Sequence, residues 1–240
     1  MKKYTINLIF IMLFLLSGQF LMNSNFLSGS YKTAIIHAGI YIISAVSLNI
    51  TVGYLGKFTF GHAGFMAAGA YMAAILVKSG LNFLIALILA SIFTSIFGIL
   101  TGFLAIKIQG DYLAIITLGT SEIIRITITN LTPLTGGAQG LKSIPKYSNF
   151  MLVYISVEVI CLILKFIMNS RHGRAIIAIR ENEIAVKSVG INVGYYNILA
   201  FAISAFFAGL SGFNKDLFSK FWKNNFKCER YKKYEYSSNQ

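Results

Sequence analysis

Glu122 and Arg125 stand three residues apart inside an apolar stretch, close enough to pair on one face of a helix. Thr117, Ser121, Arg125 and Thr129 recur there every four residues, which draws a polar stripe along that face. Ionisable groups at membrane depth are costly and turn toward a bundle interior or water. Thr117, Ser121, Glu122 and Arg125 therefore read either as the lining of a translocation path or as a charge pair that fixes helix packing. Glu158 and Lys165 lie seven apart in a second apolar stretch and share a face. Lys165 can snorkel to the surface, whereas Glu158 needs a partner. His62, in Gly61-His62-Ala63-Gly64, follows Lys57 at an expected membrane edge. It can relay protons, line a pathway, or simply hydrogen-bond at the interface.

Catalytic chemistry has no such support. The string nearest to a nucleotide-binding loop is Gly53-Tyr-Leu-Gly56-Lys57-Phe58, with the wrong spacing and no Ser or Thr after the Lys. HExxH, GxSxG and paired-Cys motifs do not occur. Cys161 sits in an apolar run and Cys228 in a polar tail, so the chain reads as one that does not rely on disulfides. No catalytic residue, no metal ligand and no cofactor of its own is expected.

The segment 169–194 has a different character. It reads Asn-Ser-Arg171-His-Gly-Arg174-Ala-Ile-Ile-Ala-Ile-Arg180-Glu181-Asn-Glu183-Ile-Ala185-Val-Lys-Ser-Val-Gly190-Ile-Asn-Val-Gly. It is too charged to span a membrane. Ile179, Val186 and Val189 suggest one apolar face. A break near Arg180–Asn182 would make two short helices, and Gly190 suits the left-handed cap of the second. The pattern fits a docking element for a partner and a solvated basic loop equally well.

These residues need elements to hold them, and composition says which. Of 240 residues, 56% are hydrophobic and 12% charged, against about 25% charged in a soluble domain. Apolar runs at Tyr4–Met22, Thr33–Gly53, Phe60–Val77, Asn82–Ile106, Tyr112–Thr129, Phe150–Met168 and Tyr195–Phe213 predict about seven spans, since a spanning helix needs roughly 20 apolar residues. The first, behind Lys2 and Lys3, is long for a signal peptide and lacks its small-residue cleavage site. The fold class is all-α, a polytopic transmembrane helix bundle. Alanines at 63, 67, 70 and 74, and the Gly98/Gly102 pair, are small residues that let helices approach.

The net charge of +13 fits basic loops against anionic lipid. Nothing in the sequence resembles a nucleic-acid module. Lys2 and Lys3 place the N-terminus in the cytoplasm. Alternation then puts 131–149 outside, where the loop holds Lys142 and Lys146. It puts 169–194 inside, with Arg171, Arg174, Arg180 and Lys187.

The string GRAIIAIRENEIAVKSVGIN resembles the coupling loop of ABC-importer permeases, and within them the permease family of branched-chain amino acid importers. GYLGKFTFGHAGFMAAGAY (53–71), GDYLAIITLGTSEIIR (110–125) and LTGGAQGL (134–141) agree with it. The general signature places a Glu where this chain has Ile184, six residues before Gly190, and a later Pro that is absent here. The resemblance implies an importer of two permease subunits, two cytoplasmic ABC ATPases that bind the ATP, and a periplasmic or extracellular substrate-binding protein. It implies a bacterial inner-membrane location. Carried over, Arg174, Glu181, Glu183, Ala185 and Gly190 belong to the loop that docks the ATPase.

Residues 1–213 are thus expected to form the transmembrane domain, with 169–194 as its cytoplasmic loop. Residues 214–240 form a basic polar tail: Lys215, Lys220, Lys223, Lys227, Arg230, Lys232 and Lys233 against Asp216, Glu229 and Glu235. With seven spans that charge falls on the outer face. The tail reads as translation past a frameshift or as a truncated continuation, and alternatively as a basic tail that touches lipid. The rivals to an ATP-driven branched-chain permease are a permease of the same type for urea or short amides, and an ion-coupled secondary transporter using Glu158 or the Glu122–Arg125 pair. A non-transport membrane subunit is the third.

Overall fold

The computed structural model describes residues 18, 19, 22, 28–108, 110–137 and 149–212. The expected first span and the tail after residue 213 lie outside the described residues, as do residues 138–148 of the expected outer loop, apart from isolated positions of that first span.

Within them the chain is helical. α1 (Gly29–Asn49) widens into a π-turn over Ile50–Tyr54. α2 (His62–Lys78) and α3 (Phe83–Lys107) follow, then α4 (Tyr112–Asn130) and the single-turn α5 (Thr132–Thr135). α6 (Phe150–Asn169), α7 (Arg171–Glu181), α8 (Glu183–Ser188) and α9 (Val193–Ser211) complete it. Side chains open several of these helices: Asn82 Oδ1 accepts the Leu84 N–H at 3.2 Å, and Asn192 Oδ1 accepts the Tyr195 N–H at 3.1 Å.

Among the described residues, five helices are long and apolar enough to cross a membrane: α1 with its π-turn, α3, α4, α6 and α9. α2, at 17 residues, is the short one. Its start is delayed because the chain does not re-enter a helix directly after α1. It leaves the π-turn, runs without helical structure over residues 56–60, and resumes the helix only at His62.

α9 is the central helix, packed chiefly on α3, then on α2 and α1. Backbones approach closely because side chains are missing where they cross. A Cβ added at Gly98 of α3 would meet Ala205 Cβ at 2.5 Å and the Phe201 carbonyl oxygen at 2.7 Å. At Gly69 it would strike the Gly209 backbone at 2.5 Å. The expected alanine stripe of α2 is not its most buried face: Ala63 is exposed and Ala67, Ala70 and Ala74 half-buried. Phe65, Ala68 and Tyr71 are buried instead, beside Gly64 and Gly69.

Most polar residues in the core are Ser or Thr, and most of these satisfy themselves one turn back. Thr94 donates to the Ala90 carbonyl at 2.8 Å and Thr101 to Gly98 at 2.9 Å. The outer face of α3 carries Leu84, Ile88, Ile92, Ile96 and Leu100, all exposed, the surface that lipid requires.

Gly98→Leu should destabilise the purified protein in detergent by roughly 1–3 kcal/mol, the usual cost of overpacking. A Cβ added at Gly119 meets nothing within 4 Å. Gly119→Ala should leave stability unchanged or raise it by up to about 1 kcal/mol through helix propensity. Thermal unfolding of both variants checks the contrast.

Candidate docking site and polar path

The segment between α6 and α9 is shaped by its own residues. Ser170 opens α7, its hydroxyl accepting the Gly173 N–H at 3.3 Å. α7 stops at Asn182, whose backbone is extended (φ −159°, ψ 101°). The Asn182 carboxamide oxygen then accepts the N–H groups of Ile184 and Ala185, each at 3.0 Å, and so starts α8. At the far end Gly190 has φ +84°. Its N–H reaches the Lys187 carbonyl at 3.0 Å and the Ile191 N–H reaches Val186 at 3.3 Å, the paired bonds of a left-handed helix cap.

One face of this segment is built into the bundle. Ile176, Ile179 and Val186 are buried in a core that includes Leu55, Ala105, Leu113, Leu164 and Val193. The other face is open, with Ile184 78% and Val189 80% exposed. Although the apolar pattern suggests it, Val189 does not share the face of Ile179 and Val186. It is turned out because α8 ends at Ser188 and the Gly190 turn redirects the chain.

Of the expected docking residues, Arg174, Glu181, Ala185 and Gly190 are exposed. The Arg174 guanidinium donates to the Asn169 carbonyl at 2.9 Å, closing the end of α6. Glu183 is half-buried and takes a 2.8 Å ion pair from Lys187 one turn on.

Lys57 lies beside this segment. Its ammonium donates to the Ala105 carbonyl near the end of α3 at 2.8 Å. Burial holds it below the usual lysine range, and Lys187 adds to that shift, while the Glu183 carboxylate opposes it. The Arg180 guanidinium, from the last turn of α7, donates to the Gly53 carbonyl at 2.6 Å.

The expected path residues lie along α4 and differ in burial. Thr117 is 1% exposed. Its hydroxyl oxygen accepts the Phe60 N–H at 3.0 Å and donates to Ala114 at 2.9 Å. Ser121 is half-buried against α2, where a Cβ on Gly64 would meet the Ser121 Cα at 2.7 Å. Arg125 and Thr129 are half-buried, and Glu122 is turned outward. The Arg125 Nε donates to both Glu122 oxygens, at 2.9 and 3.0 Å.

His62 lies in the interior of the bundle. It is buried among α1, α2 and α9, because the non-helical stretch carries the chain inward before α2 begins. Its Nε2 lies 2.7 Å from Ser47 Oγ and 3.3 Å from Ser204 Oγ. Ser47 already donates to the Ser44 carbonyl at 3.1 Å and Ser204 to the Ser47 carbonyl at 2.8 Å. Nε2 is therefore the ring nitrogen that carries the proton. His62 Nδ1 and Asn197 Oδ1 are buried and take no hydrogen bond among the described residues. No three His, Cys, Asp or Glu side chains gather there to hold a metal. The sequence signal for this cluster is weak: each of the two apolar runs carries two serines, and nothing local singles out Ser47 or Ser204.

Full-length apolar helices around a glycine-lined crossing, with one charged helix pair folded onto the bundle end, define a multi-spanning α-helical membrane protein. Residues 30–214 match the family described as branched-chain amino acid transport system / permease component. The chain belongs to that family.

It is 36% identical over 208 aligned residues to the high-affinity branched-chain amino acid transport system permease protein LivM of Salmonella typhimurium, covering 72% of this chain and 49% of the relative. The Escherichia coli protein of that name gives the same figures. A probable branched-chain amino acid transport permease protein LivM of Methanocaldococcus jannaschii is 28% identical, with 72% and 63% covered. The chain spans about half the length of the first two relatives. No solved structure gives a significant match.

Gly190→Ala forces a side chain into the left-handed region, which costs about 1–2 kcal/mol. Asn182→Ala removes a cap worth about 1 kcal/mol. Each should speed hydrogen exchange of amides 184–191 by roughly five- to thirtyfold, with α9 unaffected. Unchanged exchange would mean that neither residue sets the shape of the segment.

Proposed function

We propose that the chain is a transmembrane subunit of an ATP-driven importer of branched-chain amino acids. It supplies part of the translocation path and docks an ATPase, and it carries no ATP site or cofactor itself. The observation that carries the reading is the segment 169–194. In a chain of this permease family, a helix pair bracketed by Asn182 and Gly190 buries Ile176, Ile179 and Val186 in the bundle. It holds Ile184 and Val189 exposed, and exposed apolar side chains at a bundle end suit a protein partner.

The docking residues on this reading are Arg174, Glu181, Glu183, Ala185 and Gly190. The partners are two cytoplasmic ATPases, a second permease subunit and an external substrate-binding protein. The end bearing α7 and α8 faces the cytoplasm of a bacterial cell, as does the N-terminus, and the membrane is the inner one. Thr117 and Ser121 face α2, and with Glu122 and Arg125 they belong to the wall of the path. Alternating access would follow from rocking of the helices around that path.

Reconstitution in proteoliposomes with cognate ATPase and binding protein tests this. Uptake of labelled leucine should require ATP and be competed by isoleucine and valine. Uptake driven by an ion gradient without ATP would establish the secondary-transport reading instead. Competition by urea or short amides alone would move the substrate class. Replacing Glu183 and Gly190 should abolish co-purification of the ATPase while the chain stays in the membrane, and unchanged co-purification would refute the docking role.

A further inference from the structure

The geometry points to Arg180 as a positioning residue that fastens the docking segment to the π-turn Ile50–Tyr54, so that displacing α7 and α8 moves the helix break behind that turn. The inference rests on the reading of 169–194 as the docking segment and adds a route from it into the bundle.

Arg180 is exposed, and a solvated arginine in a helix's last turn needs no partner. It nevertheless reaches a carbonyl 127 positions earlier, at 2.6 Å. Gly53 lies at the end of a broken helix, where the last carbonyls have no partner of their own. A cation there also meets the negative end of the helix dipole. The arginine stem fits as closely as its head. Gly56 has φ +74°, and a Cβ on it would lie 2.8 Å from Arg180 Cγ. Gly56 thus clears the space in which Arg180 grips the turn.

Beyond the grip, the break is tied to one element after another. Lys57 is bonded to Ala105 of α3 at 2.8 Å, and the Phe60 N–H to Thr117 of α4 at 3.0 Å. His62 then meets Ser47 of α1 and Ser204 of α9. Residues 56–60 have no helical bonds to absorb a displacement. A shift imposed at Gly53 therefore passes to Lys57, Phe60 and His62.

Two measurements on the full chain decide the matter. In the purified protein alone, Arg180→Ala should raise hydrogen exchange of the Leu55–Phe60 amides by about tenfold or more, as loss of a charge-assisted hydrogen bond implies. Exchange in α3 and the centre of α9 should not change. Unaltered exchange at Leu55–Phe60 would overturn the link.

In the assembly with its cognate ATPase, Arg180→Ala should retain co-purification and ATP hydrolysis. It should lower the leucine carried per ATP by about fivefold or more, a loss on the scale of one charge-assisted bond. Arg180→Lys should recover part of that ratio. Loss of co-purification in step with transport would make Arg180 a docking contact and overturn the proposal. If the wild-type chain bound no ATPase, the docking reading would fall, and the exchange measurement would still decide whether Arg180 holds the break.

Discussion

A backbone that leaves its helix inside a membrane protein must find other partners for its amides and carbonyls, and the stretch after the π-turn answers that constraint. Gly53 O is met by Arg180, Phe60 N–H by Thr117, and Gly61 N–H by the Thr59 hydroxyl. Those contacts fix where α2 begins, how short it is, and why His62 lies in the interior. They also place Leu55 in the core that Ile176 and Val186 share with the spanning helices.

The rest of the bundle follows from a second economy. Helices in lipid gain little from burying apolar side chains against one another, so close backbone contact and modest hydrogen bonds hold them. α9 meets α3 and α2 through Gly98, Gly102, Gly69 and Gly209. The neighbouring Ser and Thr hydroxyls mostly turn back on their own helices. Polarity in this core is thereby reduced to a few places where helices exchange hydrogen bonds, of which the Ser47–His62–Ser204 cluster is the most enclosed.

Much of this was legible in the sequence. Spans of apolar residues and the capping types Asn and Gly are local signals, and the Asn182 break and Gly190 turn fall where residue type asks for them. Gly98 and Gly102 were readable as a packing motif and serve as one. What could not be read is non-local. His62 joins serines 15 and 142 positions away, and Arg180 a carbonyl 127 positions away. The alanine stripe of α2 misled because four equal residues mark a face without saying what that face meets. Val189 misled because a six-residue helix has no room to continue a stripe once its cap turns the chain.

The form of α7 and α8 is written within their own stretch, by Ser170, Asn182 and Gly190. Their placement is decided elsewhere, at Gly53 and in the core around Leu55. The two properties answer to separate residues and can be inherited separately. Drift in the spanning helices can re-aim the segment without remaking it. Drift within the segment can alter what it presents without moving its seat.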